Sequence, residues 1–176
     1  MLFLLFRLGH DRYALEARRV VEVVPLLALK KIPQAPRGVA GLFNYRGQPV
    51  PAVDLGELTL GQPASPRLST RIILVQYPDD TGKNRLLGLI AEQATEIIRK
   101  EPNDFAPTGV QMRAAPYLGP VAMDSQGGIQ WVYEQRLLSG PVRDLLFSQP
   151  ERSAGTGSAK RGANTEAGFP TLDFSV

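Results

Sequence analysis

Few side chains in this sequence have the type and spacing that chemistry needs. Its 176 residues include no cysteine and a single histidine, His10. Thiol nucleophiles, disulfide frameworks, iron–sulfur clusters and zinc sites therefore lack their reactive groups or ligands, and a metal would have to rest on carboxylates alone. A Ser/His/Asp set would need His10 as its base, yet His10 lies in Gly9-His10-Asp11-Arg12, whose Gly and Asp favour a tight reversal. The neighbouring carboxylates Asp79 and Asp80 fall in a second turn, at 78–82, where they serve turn formation and solubility better than a metal ion. Neither a Walker motif nor G-x-G-x-x-G occurs. Asp54 has no carboxylate partner that spacing would justify for acid–base work, and it suits a helix N-cap. Trp131 and Tyr133 alternate along one segment and would stack nucleobases if both were exposed, but no basic residue is interleaved with them, so they read as core or interface. These residues describe a chain that is not an enzyme and carries neither cofactor nor metal.

Arg46 resists a purely local explanation. It stands at the tip of Asn44-Tyr45-Arg46-Gly47 with no acidic residue within two positions on either side. Most turn arginines are simply solvated. On a rigid loop, however, a guanidinium presents a planar fork of donors suited to a partner's carboxylate or backbone.

The elements that must hold these residues read as short strands separated by turns, the pattern of a mainly β protein built from small barrels. Segments 3–8 and 13–17 flank the His10 turn as a hairpin. The β-branched run 20–24 ends at Pro25 and suits a strand with one partly exposed face. A second hairpin covers 43–53 around the turn at 44–47, because Asn and Gly tolerate left-handed backbone. A short helix is expected over 54–60, with Asp54 as N-cap and Gly61 as the stop. Strands follow at 71–77 and 86–91. Segment 92–100 accepts either helix or strand, and strand is preferred. Two more strands, 117–123 and 129–133, enclose a turn at 124–128. The apolar spacing at 134–147 is helical but interrupted by Gly140-Pro141, which implies a kink or two short helices.

Composition agrees with this picture. The chain has 17 glycines and 15 prolines, about 18% against roughly 12% in average proteins, which argues against long helices. Hydrophobic residues make up 43% and charged residues 21%, enough for a soluble domain with a core. The early apolar run 2–6 is cut by Arg7 and is too short for a signal-peptide core, so a cytoplasmic location without membrane insertion is expected. The net charge of +3 and pI near 9.4 leave open a small basic barrel that binds nucleic acid as the alternative, although the basic residues are scattered rather than striped.

Two segments offset by 78–80 residues share one order of glycine, apolar strand, turn and apolar strand: 41–53 and 119–132. That self-similarity suggests a duplicated unit. From 148 to 168 Ser, Gly, Ala, Thr and Asn dominate, so the chain divides into a body at 1–147 and a disordered tail at 148–176. The tail ends in Phe169-Pro-Thr-Leu-Asp-Phe-Ser-Val176, whose apolar residues fall at alternate positions towards the end.

The run 15–55 resembles the CheW-like family of chemotaxis coupling proteins. Val20, Glu22, Val23, Pro33, Pro36, Gly41, Asn44, Arg46, Gly47, Val50, Pro51, Val53, Asp54 and Leu55 fit the family pattern without an internal gap, and the likeness extends over about 2–140. The resemblance implies two SH3-like, five-stranded β-barrel subdomains with a groove between them and short helices. It implies a non-catalytic adaptor joining the hairpin tip of a methyl-accepting chemoreceptor to the regulatory domain of a CheA-type histidine kinase, recruited to membrane receptor clusters. It places Val20, Glu22, Asn44, Arg46 and Gly47 in partner contact. Three departures from the pattern, at 129–134, at Gly56 and at the basic pair Arg18-Arg19, together with the tail, imply an alternative, surface-sensing or motility pathway rather than the flagellar one.

Overall fold

A computed structural model describes residues 1–109 and 113–148. The expected tail beyond Ser148 lies outside the described residues. Ten strands carry the architecture: β1 (Leu2–Leu8), β2 (Asp11–Glu16), β3 (Val20–Pro25), β4 (Val39–Tyr45), β5 (Gln48–Asp54), β6 (Arg71–Pro78), β7 (Asn84–Arg99), β8 (Phe105–Ala106), β9 (Leu118–Asp124) and β10 (Gly127–Val132). Two short α-helices complete it, α1 (Leu55–Leu60) and α2 (Gly140–Phe147). The protein is mainly β, as its turn-rich composition implies. Among the described residues no helix is long and apolar enough to cross a membrane.

Strand pairing sorts the molecule into two units. In the first, hydrogen bonding runs β3–β6–β7–β5–β4, with β5 parallel to β7 and the other pairs antiparallel. The second runs β7–β1–β2–β10–β9, with β10 parallel to β2 and β8 added outside β9. The two 78–80-offset segments are thus the hairpins β4–β5 and β9–β10, each attached through its second strand in parallel to a neighbour. The second unit is assembled from the two ends of the body, because the β1–β2 hairpin precedes the whole first unit in sequence.

β7 belongs to both units. Residues 84–91 pair with β6, and residues 92–99 pair with β1. Segment 92–100 is therefore strand, as preferred above, but continuous with the strand before it. The passage occurs at Gln93, whose φ of 50° takes it out of extended backbone while its N–H bonds the Ser69 carbonyl at 2.9 Å.

The strands bury both faces. In β1, Leu4 and Phe6 enter a central cluster with Leu15, Val53, Ile73 and Leu89, whereas Phe3 and Leu5 turn to an outer cluster with Ile129 and Trp131. In β6, Ile73 and Val75 join the central cluster while Ile72 and Leu74 pack with Phe43 and Val50 outside it. This is why 2–6 and 72–75 read as unbroken apolar runs rather than alternating ones. Gly88 marks a close approach within the core: a Cβ there would lie 2.6 Å from the Phe43 ring and 2.8 Å from Ile72.

The helices follow their local signals. Asp54 caps α1 by accepting from the Glu57 N–H at 3.0 Å, and Gly61 ends it in the left-handed region at φ 77°. Segment 134–147 forms a single 3-10 turn at Glu134–Arg136 and then α2, with Pro141 in the first turn, where its missing N–H removes no helical bond.

Candidate partner-binding site

The first unit ends in two edge strands, β3 and β4, which are not hydrogen-bonded to each other among the described residues. The side chain that spans this seam is Glu22. Its carboxylate accepts from the Tyr45 hydroxyl and, at 3.1 Å, from Nη2 of Arg46. The Arg46 guanidinium lies over the Tyr45 ring, 5.0 Å from its centroid. Accepting the phenolic proton favours the neutral phenol, so the Tyr45 hydroxyl is raised above its ordinary pKa.

Turn chemistry positions this cluster. β4 and β5 are joined through Arg46 at φ 51° and Gly47 at φ 84°, two left-handed residues in succession, which is the two-residue hairpin whose twist matches its strands. The Asn44 side-chain oxygen accepts from the Gly47 N–H at 2.8 Å and braces the turn. Asn44 and Gly47 therefore hold Arg46 in place, and with Lys30 and Pro49 they also border a shallow apolar depression of about 340 Å³.

β3 supplies the apolar part. Its register shifts between Val20 and Glu22, leaving Val21 as a bulge. Val20 and Val23 are half-buried against the central cluster, and Val21 is the exposed apolar residue of the strand at 47%. The structure thus brings Glu22, Asn44, Arg46 and Gly47 together beside Val21, and turns Val20 largely inward. Two members of the cluster escaped sequence reasoning. Tyr45 was available as an aromatic beside the turn arginine; Val21 depends on a bulge that nothing in a run of valines announces.

Arg46 has an acidic partner after all, supplied from 24 residues away. The pair is open to solvent, with side-chain exposures of 76% for Arg46 and 39% for Glu22, so it contributes about 0–1 kcal/mol and leaves both groups available for exchange with a partner.

Other singled-out residues have structural roles. Asp79 is not a solvated turn carboxylate: it is buried, and it accepts from the Thr81 hydroxyl at 2.6 Å, the Lys83 N–H at 2.9 Å and the Arg85 guanidinium at 3.0 Å. The Thr81 hydroxyl foremost, with Arg85 and the turn amides, holds it down at about 2. Asp80 is exposed. His10 is exposed in its turn, and its carbonyl accepts from Arg7. Trp131 is buried edge-on against Phe3, with centroids 4.9 Å apart and an interplanar angle of 86°, and is not available for stacking on nucleobases. Arg18 pairs with Glu16, and Arg19 with buried Glu134 in the second unit. Arg12, assigned to a turn by composition, is instead buried in β2 and grips Asp124 of the β9–β10 turn through both terminal nitrogens. That pairing holds the Asp124 carboxyl down at about 2. Among the described residues no three metal-ligating side chains gather.

Comparison with known proteins bears on the whole body. The CheW-like domain pattern matches residues 2–139. The chain is 29% identical over 106 residues to the chemotaxis protein CheW of Helicobacter pylori, a match that covers 60% of this chain and 61% of that protein. It is 24% identical over 148 residues to the chemotaxis protein CheW of Klebsiella aerogenes, covering 84% of this chain and 82% of that protein. Among solved structures, the scaffolding protein TtCheW of Thermoanaerobacter tengcongensis superposes with a TM-score of 0.68 at 26% identity, covering 79% of this chain and 89% of that one.

Proposed function

The chain belongs to the CheW-like domain family, and on that premise we propose that it is a non-catalytic chemotaxis scaffold that couples methyl-accepting chemoreceptors to a CheA-type histidine kinase. The body at 1–147 is the working part, and 148–176 is an appendage to it. The protein acts in the cytoplasm and is held at receptor clusters by its partners.

The observation that carries this reading is the Glu22–Tyr45–Arg46 cluster at the seam of two edge strands. The surface fits a helical hairpin that presents apolar side chains with scattered charges. Val21 offers it an apolar contact, and Glu22 and Arg46, one acid and one base in fixed register, offer exchangeable ion pairs that select its orientation. The open backbone edge of β3 lies directly alongside. An alternative as a nucleic-acid binder loses its stacking residue to the core.

The test is binding of the full chain to a receptor signalling fragment and to a kinase regulatory domain, measured by calorimetry. Arg46→Asp and Glu22→Lys should each weaken at least one of the two complexes tenfold or more with the far-UV spectrum unchanged. Equal affinities for wild type and both variants would overturn the site.

A further inference from the structure

A second apolar opening has no part in any role described so far. It is a groove of about 330 Å³ between the two units, floored by Val39, Val53 and Leu58 of the first and by Tyr117 and Leu137 of the second. Gly38 and Tyr117 shape it. Gly38, at φ 86°, lets Leu58 pack within 3.1 Å of where a Cβ would stand, and the Tyr117 and Thr59 hydroxyls bond at 3.1 Å across the units. Arg37, Arg113 and Arg136 stand on its rim, all exposed, and none of its lining residues is acidic. The result is an apolar trough under positive charge, with no acidic residue among the described residues that line it to balance that charge.

We propose that the chain's own segment 169–176 occupies this groove as a tethered internal ligand. Three properties of the sequence fit it. Leu172, Phe174 and Val176 alternate with Asp173 and Ser175, so in an extended conformation the three apolar side chains share one face and Asp173 projects from the other. From residue 162 onward the sequence holds Glu166 and Asp173 and no base, the charge complement of three arginines. The tether also has the right reach. The groove is bordered by Ser139, the N-cap of α2, and by Val142 within it, and the chain leaves α2 at Ser148, about 12 Å along the helix. A random coil with the length of 149–168 spans about 25 Å r.m.s., which covers that distance without stretching and gives an effective concentration on the order of millimolar. Even a weak contact is therefore well occupied. Any partner that uses the groove must displace the segment, so the tail sets a threshold for binding there. The inference stands independently of the receptor and kinase assignment.

The absence of cysteine makes the test direct. Ser175→Cys in the otherwise intact chain takes a single nitroxide label, and amide signals of the isotope-labelled protein report its position. The expected result is selective loss of the Val39, Leu138 and Ser139 signals, with recovery when Leu172→Ser and Phe174→Ser are added. Arg113→Glu should restore most of the lost intensity, and Asp173→Arg in the same chain should remove it again. Broadening that is absent from the groove, or that survives the double serine change, overturns the proposal. So does broadening seen only when spin-labelled and isotope-labelled copies are mixed, which would make the occupant a second molecule.

Discussion

Glu22 shows how one carboxylate can join two strands that share no backbone bond. It takes the Tyr45 phenol and the Arg46 guanidinium at once, so removing the phenolic hydroxyl separates the brace from the charge. Tyr45→Phe should cost about 1 kcal/mol in urea denaturation and leave the Arg46 pair formed. Two hydrogen-bonded carboxylates, Asp79 buried and Asp124 exposed, carry a pH signature. Asp124 beside Arg12 and Asp79 beside Thr81 both sit at about 2 in the folded protein, below the ordinary 3.8. A depressed folded pKa means that the unfolded chain binds protons first, so their contribution is complete above the ordinary carboxylate range and is lost as pH falls from about 4 to about 2. Arg12→Leu should lower stability at pH 7 and flatten the remaining loss between pH 5 and 2, as read by denaturant midpoints across that range. An unchanged slope would assign the acid sensitivity elsewhere. Neighbouring residues do not reveal the partners of Arg12 and Arg46, because both pairs form across long stretches of sequence, 112 and 24 residues, which no local window shows.

At the scale of elements, turn chemistry was the most readable part of the sequence. Gly, Asn and Asp marked the β1–β2, β4–β5, β6–β7 and β9–β10 reversals, because only a few residue types accept the backbone that a tight turn demands. Gly47→Val should cost about 1–3 kcal/mol through its φ of 84°, although a side chain there meets open space. The same change tilts Arg46, so partner affinity should fall by more than stability alone explains, a comparison made by measuring both on one preparation. Asp54→Ala should cost about 1–2 kcal/mol, since the carboxylate caps α1 and also accepts from the Ala64 N–H. The long β7 was less readable. Its second half pairs with β1 yet leaves Ile97 exposed, so its residues lack the strict alternation that announces a half-buried strand.

Over the whole molecule, the central cluster belongs to neither unit alone. Leu4 and Phe6 come from the second, Val53 and Ile73 from the first, and neither set can leave without exposing the other. The duplicated pattern at 41–53 and 119–132 was visible in the sequence. The interleaving was not, because it depends on the β1–β2 hairpin bypassing the whole first unit to reach β10, a matter of topology rather than of any residue's type. Shared burial predicts a single cooperative transition. Ile72→Ala lies in the first unit and Trp131 in the second, so the variant should lose about 2–5 kcal/mol with tryptophan fluorescence and circular dichroism moving together. Two separated midpoints would mean that the units unfold independently. The interleaving also orders events on the ribosome. β2 emerges early, yet its parallel partner β10 is more than a hundred residues behind it, on the order of ten seconds of translation. Throughout that interval the nascent chain carries an apolar strand edge awaiting its mate, and the waiting is written into the order of its strands.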